Sequence, residues 1–207
     1  MWMSCLRKVD FNFLSLGEVS TNYFRMKSFF SLLLLTIFLV ACHSGSEDYV
    51  FSKNRIGRLD KAVGPRQIPS YFPGDSIGKP DSISGAIKQM EIGVFDKQNH
   101  KQKLNLIFIP DKDSLKLVAV EILSDKYRTT DGLSLADSYG KWHKHYTLAK
   151  GDQTLRHLVF YVKKLNAALE IPATALPESL QNRDLDKVDP DVINPDAKPV
   201  SITLFFQ

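Results

Sequence analysis

Six stretches between residues 90 and 206 carry apolar side chains at strand-like spacing. Met90, Ile92 and Val94 alternate with Glu91 and Gly93, the period-two pattern of a half-buried strand. Residues 104–109 are almost continuously apolar, and residues 115–123 follow with Val118, Val120 and Ile122 on one side. The polar segments 96–101 and 110–114 between them are short and rich in turn-forming residues. Spacings this short favour hairpins and an antiparallel meander over helical crossovers. Further along, Leu158, Phe160 and Val162 share one side of a strand over 155–162, and 167–171 is a short candidate strand. Val200, Ile202, Leu204 and Phe206 alternate up to the last residues. An end that apolar should be docked into the sheet.

One segment breaks this rhythm. Residues 127–146 hold a turn signal at Asp131-Gly132, possible helix caps at Asp137 and Ser138, and then Tyr139, Trp142 and Tyr146. Those three aromatics fall at i, i+3 and i+7, one face of a short helix. The segment resembles an element of small exported α+β proteins of unknown function, departing from it at Ala136 and Gly140. The resemblance implies a piece of fold and no activity. Residues 175–180 suit one helical turn, and 183–199, rich in Asp and Pro, read as a loop. Residues 62–85 carry four prolines and four glycines, a density that forbids a long helix and predicts an irregular segment. Tyr71 and Phe72 inside it could form a ligand platform, but a long loop needs such residues to pin it to a core. The pattern therefore predicts one α+β domain over 51–207. Its antiparallel, bent sheet would have about five to seven strands, with one short packed helix near 138–146.

The first 41 residues have a different character. Residues 29–41 form an apolar run of 13, preceded by Lys27. A membrane-spanning helix needs about 20 residues, a signal-peptide core about 7–15. The run ends in Leu39-Val40-Ala41, and Cys42 follows at once. These four residues resemble the lipobox of bacterial lipoproteins. The resemblance implies cleavage before Cys42, a diacylglyceryl thioether on that cysteine and a membrane anchor. Each buried CH₂ of such an anchor contributes about 0.8 kcal/mol. Met26-Lys27-Ser28 would give the leader a conventional start. Residues 42–50 are then expected to be a solvated tether, opening on His43-Ser44-Gly45-Ser46-Glu47-Asp48.

Charge adds little. Of 27 basic and 23 acidic residues, four and two lie in 1–41, leaving 23 and 21, a net of +2. That is too small and too scattered for a nucleic-acid partner. The second cysteine, Cys5, would leave with the leader. With Cys42 lipidated, no disulfide, thiolate zinc site or thiol nucleophile is expected.

The remaining chemistry is weighed residue by residue. His143 and His145 are spaced i, i+2, which suits a strand; on a helix the two side chains diverge by about 200°. An exposed basic face with Lys141 and Lys144 fits them better than a metal site. Asp184, Asp186, Asp189, Asp191 and Asp196 fail the calcium-loop template, because Asp189 stands where glycine is needed and Pro195 where glutamate is. No Gly-x-Ser-x-Gly, phosphate loop or zinc-protease motif occurs, and Ser134, His157 and Asp131 do not make a triad by type alone. No catalytic residue, metal or cofactor is expected. The chain reads as a membrane-anchored envelope lipoprotein, with the outer membrane favoured over the inner. Its role would be binding or structural, with an envelope protein or a glycan as partner. The alternative is a small envelope hydrolase or glycan-acting enzyme with its site at 127–146.

Overall fold

The computed structural model describes residues 47–206, apart from 61–62, 84–87, 113, 182 and 184. Cys42 and the leader lie outside the described residues. Among the described residues no helix is long and apolar enough to cross a membrane.

The described residues form twelve strands. They are β1 (Val50–Ser52), β2 (Arg55–Ile56), β3 (Asp75–Ile77), β4 (Asp81–Ile83), β5 (Gln89–Asp96), β6 (Gln102–Asp111), β7 (Ser114–Ile122), β8 (Arg128–Thr129), β9 (Asp152–Gln153), β10 (His157–Val162), β11 (Ala167–Pro172) and β12 (Ser201–Phe205). Three helices are short: α1 (Ile68–Tyr71), α2 (Tyr139–His145) and α3 (Glu178–Gln181). The α+β reading holds in this coarse form.

The main sheet runs β3-β5-β6-β7-β12-β11-β10-β9, with β4 also paired to β5. Every pairing in it is antiparallel. It has nine strands, more than the seven the pattern allowed. The excess is at the edges. β3, β4 and β9 are three, three and two residues long, too short to show a period. β3 and β4 come from the Pro/Gly-rich segment that excluded a long helix; proline and glycine are compatible with short edge strands, which also resist edge-to-edge association. A second sheet, β2-β1-β8, adds a parallel β1–β8 pairing.

The last strand holds the architecture together. β12 lies between β7 and β11, pairing Leu204 with Val120 on one side and with Ala167 on the other. It joins the β5-β6-β7 meander to the β9-β10-β11 meander. One face of the sheet presents Val94, Leu106, Val120, Leu204, Leu169 and Phe160, all fully buried. Tyr139, Trp142 and Tyr146 of the α2 segment are buried in the same core. At about 25 cal/mol per Å² of apolar surface, each such aromatic contributes several kcal/mol.

The start of the domain departs from expectation. Residues 47–50 were read as solvated tether, yet Glu47–Tyr49 form a 3₁₀ turn and Val50 opens β1. Tyr49 packs edge-on against Tyr127, ring centroids 5.3 Å apart, and Asp48 pairs with Arg58 at 2.9 Å. Local composition is polar here, but Phe51 is fully buried and carries the preceding residues down with it.

Candidate functional site

Helix α2 organises the 127–146 segment. Ser138 sits at its N-cap position, but its side chain makes no cap hydrogen bond. The first N–H groups donate instead to the 183–199 loop: Tyr139 N to Ala197 O at 2.6 Å and Gly140 N to Pro195 O at 2.8 Å. The Tyr139 hydroxyl donates to Pro190 O at 3.0 Å. Trp142 Nε1 donates to Ser134 O at 3.1 Å. Trp142 is fully buried, and the one polar atom of its side chain is satisfied.

The chemistry-bearing residues of this region are held apart. The Ser134 hydroxyl donates to Asp137 Oδ2 at 3.1 Å and is fully buried. His157 Nδ1 lies 3.3 Å from Glu170, and Asp131 has other partners, so the three do not meet. His143 Nε2 is 2.8 Å from Asp191 and its ring stacks on Tyr139. His145 Nε2 is 3.2 Å from Asp131. Each of these three histidines addresses its own carboxylate. Among the described residues no group of three or more His, Cys, Asp or Glu is placed to hold a metal ion. Asp189 accepts from Asp191 N at 3.0 Å, a turn contact within its own loop.

Asp131 anchors a polar cluster at the C-terminal end of α2. Its Oδ2 accepts from Tyr146 Oη at 2.8 Å and Lys164 Nζ at 3.1 Å, with His145 beside it. Lys164 also lies over the Tyr146 ring at 5.4 Å. The Tyr146 bond, then those from Lys164 and His145, lower the Asp131 carboxyl to about 2. Burial first, then the neighbouring carboxylate, pushes the Tyr146 hydroxyl up to about 12. An acid that stays ionised and a phenol that stays protonated suit a staple between turn and helix. General acid–base work needs groups near the working pH.

At the start of the domain a cavity of about 150 Å³ is walled by Tyr49, Tyr71, Phe72 and Tyr127. Asp48, Arg58 and Asp75 also line it. Asp75 is bound to Lys103 at 2.7 Å, and that Lys103 Nζ lies 5.1 Å over the Tyr49 ring. Burial pushes the Tyr127 hydroxyl far above the usual phenol range, so it is a neutral donor. Sequence reading kept Tyr71 and Phe72 as packing residues, and both do pack against the core. It missed Tyr49, which lay in the expected tether. The signal was there in Tyr49-Val50-Phe51, an apolar run too bulky for a linker.

No family model matches the chain, and no curated protein matches it. One solved structure carries a likeness. The fold is similar to that of the uncharacterized protein yfeY from Escherichia coli. The TM-score is 0.52 at 10% identity, over 75% of this chain and 98% of yfeY. At that identity the likeness to yfeY concerns the arrangement of strands and helices alone.

Proposed function

We propose that this chain is an exported lipoprotein, held to a membrane of the cell envelope by lipid on Cys42. Its domain binds an envelope protein or glycan and performs no catalysis. The observation that carries the reading is Leu39-Val40-Ala41-Cys42 at the end of a 13-residue apolar run. The domain supports it in two ways. Its first described element, Glu47–Tyr49, stands five positions after Cys42 in the sequence. His143, His145, His157, Ser134 and Asp131 each contact an internal partner, and they do not converge on one hydrolytic centre at 127–146.

Mass spectrometry and fractionation test the anchor. The protein is expected in the membrane fraction with a diacylglyceryl mass on Cys42, and Cys42→Ser is expected to abolish both. An unchanged distribution in the Cys42→Ser chain would defeat the assignment. Crosslinking of intact envelopes tests the binding role. A chain that never captures a partner, while its anchor is intact, counts against it.

A further inference from the structure

We propose that the outer face of the main sheet, around Glu121, Ser201 and Glu170, binds the ammonium group of a lysine on a partner protein. This deepens the reading above by naming the partner's chemistry, and it rests on the domain being a binding module.

Strand register sets the face. The core takes Val120 and Ile122 of β7 and Ile202 and Leu204 of β12. Their neighbours Glu121, Ser201 and Thr203 therefore point to the opposite side. Glu121 lies across from Thr203 on β12 and from Asn105 on β6. Ser201 lies across from Glu170 on β11. A polar band thus crosses β6, β7, β12 and β11 in the middle of the sheet. Glu91 of β5 extends it, since Asn105 Nδ2 donates to Glu91 Oε2 at 2.7 Å. His157 of β10 closes the other end, its Nδ1 3.3 Å from Glu170 Oε2.

Two groups in this band are left over. Ser201 is only 2% exposed, and its hydroxyl stands beside the Glu121 carboxyl. It closes no hydrogen bond of normal geometry with any described residue. A buried hydroxyl without a partner is a standing cost to the fold. Glu121 is half-buried. Among the described residues no lysine or arginine pairs with it, with Glu91 or with Glu170. Burial first, then the Glu170 carboxylate, works against its ionised form.

An arriving ammonium answers both groups. It carries three donors and no acceptor. Glu121, Ser201 and Glu170 offer acceptors from three adjacent strands. With its O–H turned to a carboxylate, Ser201 keeps lone pairs for the ammonium. A calcium ion would need several oxygens within about 2.6 Å, and no group of three described carboxylates or histidines is so placed. A guanidinium is a planar fork suited to both oxygens of one carboxylate, which leaves Ser201 unused.

The neighbouring surface favours a protein as the source. Tyr161 lies in the same row as Glu121, through Ala168 and Thr203. Phe205 follows Thr203 by two positions, on the same face of β12. Both aromatics are exposed. The stem of a lysine has apolar surface to lie along there, and aromatics are enriched at protein interfaces. The amine of a lipid headgroup brings no such stem.

Protein-observed NMR on the full-length chain in a non-ionic detergent tests this. The probes are N-acetyl-lysine methylamide, its arginine and neutral norleucine counterparts, ethanolamine and calcium chloride. The lysine probe is expected to shift the amides of Glu121, Ser201 and Glu170. Its dissociation constant is expected on the order of 1 mM, as befits about fourteen heavy atoms. Glu121→Gln should weaken binding at least tenfold while leaving the protein folded, and Ser201→Ala should weaken it about fivefold. Asp186→Asn, in the 183–199 loop, should leave it unchanged. Affinity should fall in acid, because a protonated Glu121 loses its attraction and a protonated His157 competes for Glu170. The proposal is overturned if the lysine probe shifts none of these amides by about 20 mM. Tighter binding of the arginine probe, norleucine probe, ethanolamine or calcium overturns it too, as does normal binding by Glu121→Gln. Envelope crosslinking reads the binding role without reference to this face. A chain that captures a partner but ignores the lysine probe loses this inference alone.

Discussion

Gly140 lies directly beneath Pro195. A Cβ placed on Gly140 would come within 2.9 Å of Pro195 Cβ and 3.1 Å of its carbonyl oxygen. That same oxygen accepts the Gly140 N–H at 2.8 Å. Helix propensity alone would make Gly140→Ala stabilising by about 1 kcal/mol. The contact reverses the sign, because the loop must lift and surrender its hydrogen bond, a cost of about 1–3 kcal/mol. Urea unfolding is expected to show net destabilisation of about 1 kcal/mol. A more stable Gly140→Ala protein would mean the loop does not press on the helix.

Asp131 is expected to make part of the stability acid-sensitive. Its carboxyl is lowered from 3.8 to about 2 in the folded protein, chiefly by the Tyr146 hydroxyl and then by Lys164 and His145. A depressed native pKa means the unfolded chain takes up the proton more readily. The contribution is therefore complete above about 4 and lost as the pH falls towards about 2. Asp131→Asn should lower the urea midpoint near neutral pH, and the gap to the parent should close as the pH approaches 2. A gap that stayed constant would place the effect in packing.

Glu121 should act with the opposite sign. Burial first, and then the Glu170 carboxylate, raise its pKa above 4.5. A carboxylate with a raised native pKa penalises folding once it is ionised. Glu121→Gln is expected to raise the melting temperature near neutral pH, and the gain should vanish below about 4.5. Parallel melts of the two proteins across that range measure it, and a gain that persists in acid would contradict the assignment.

Much of the strand pattern was legible because burial on one face imposes a period on the sequence. Leu158, Phe160 and Val162 alternate for that reason, and they do share the buried face of β10. The face of Tyr139, Trp142 and Tyr146 was equally readable, since helical spacing brings i, i+3 and i+7 together. β3, β4 and β9 were not, because two or three residues carry no period. Gly140 was legible only as a poor helix former; its reason is a loop fifty-five positions away.

The amino-acid sequence by itself determined the order of the long strands and the aromatic helix face. These are local features, each written in neighbouring side chains. Only the tertiary structure decided that β12 would lie between two meanders, since strand neighbours depend on which edges meet. It also decided that Tyr49, Tyr71, Phe72 and Tyr127 would face one cavity. Those four come from three separate segments, and no period in the chain relates them. A cavity of that kind is made by folding, when distant apolar surfaces leave water together and the polar groups between them find partners.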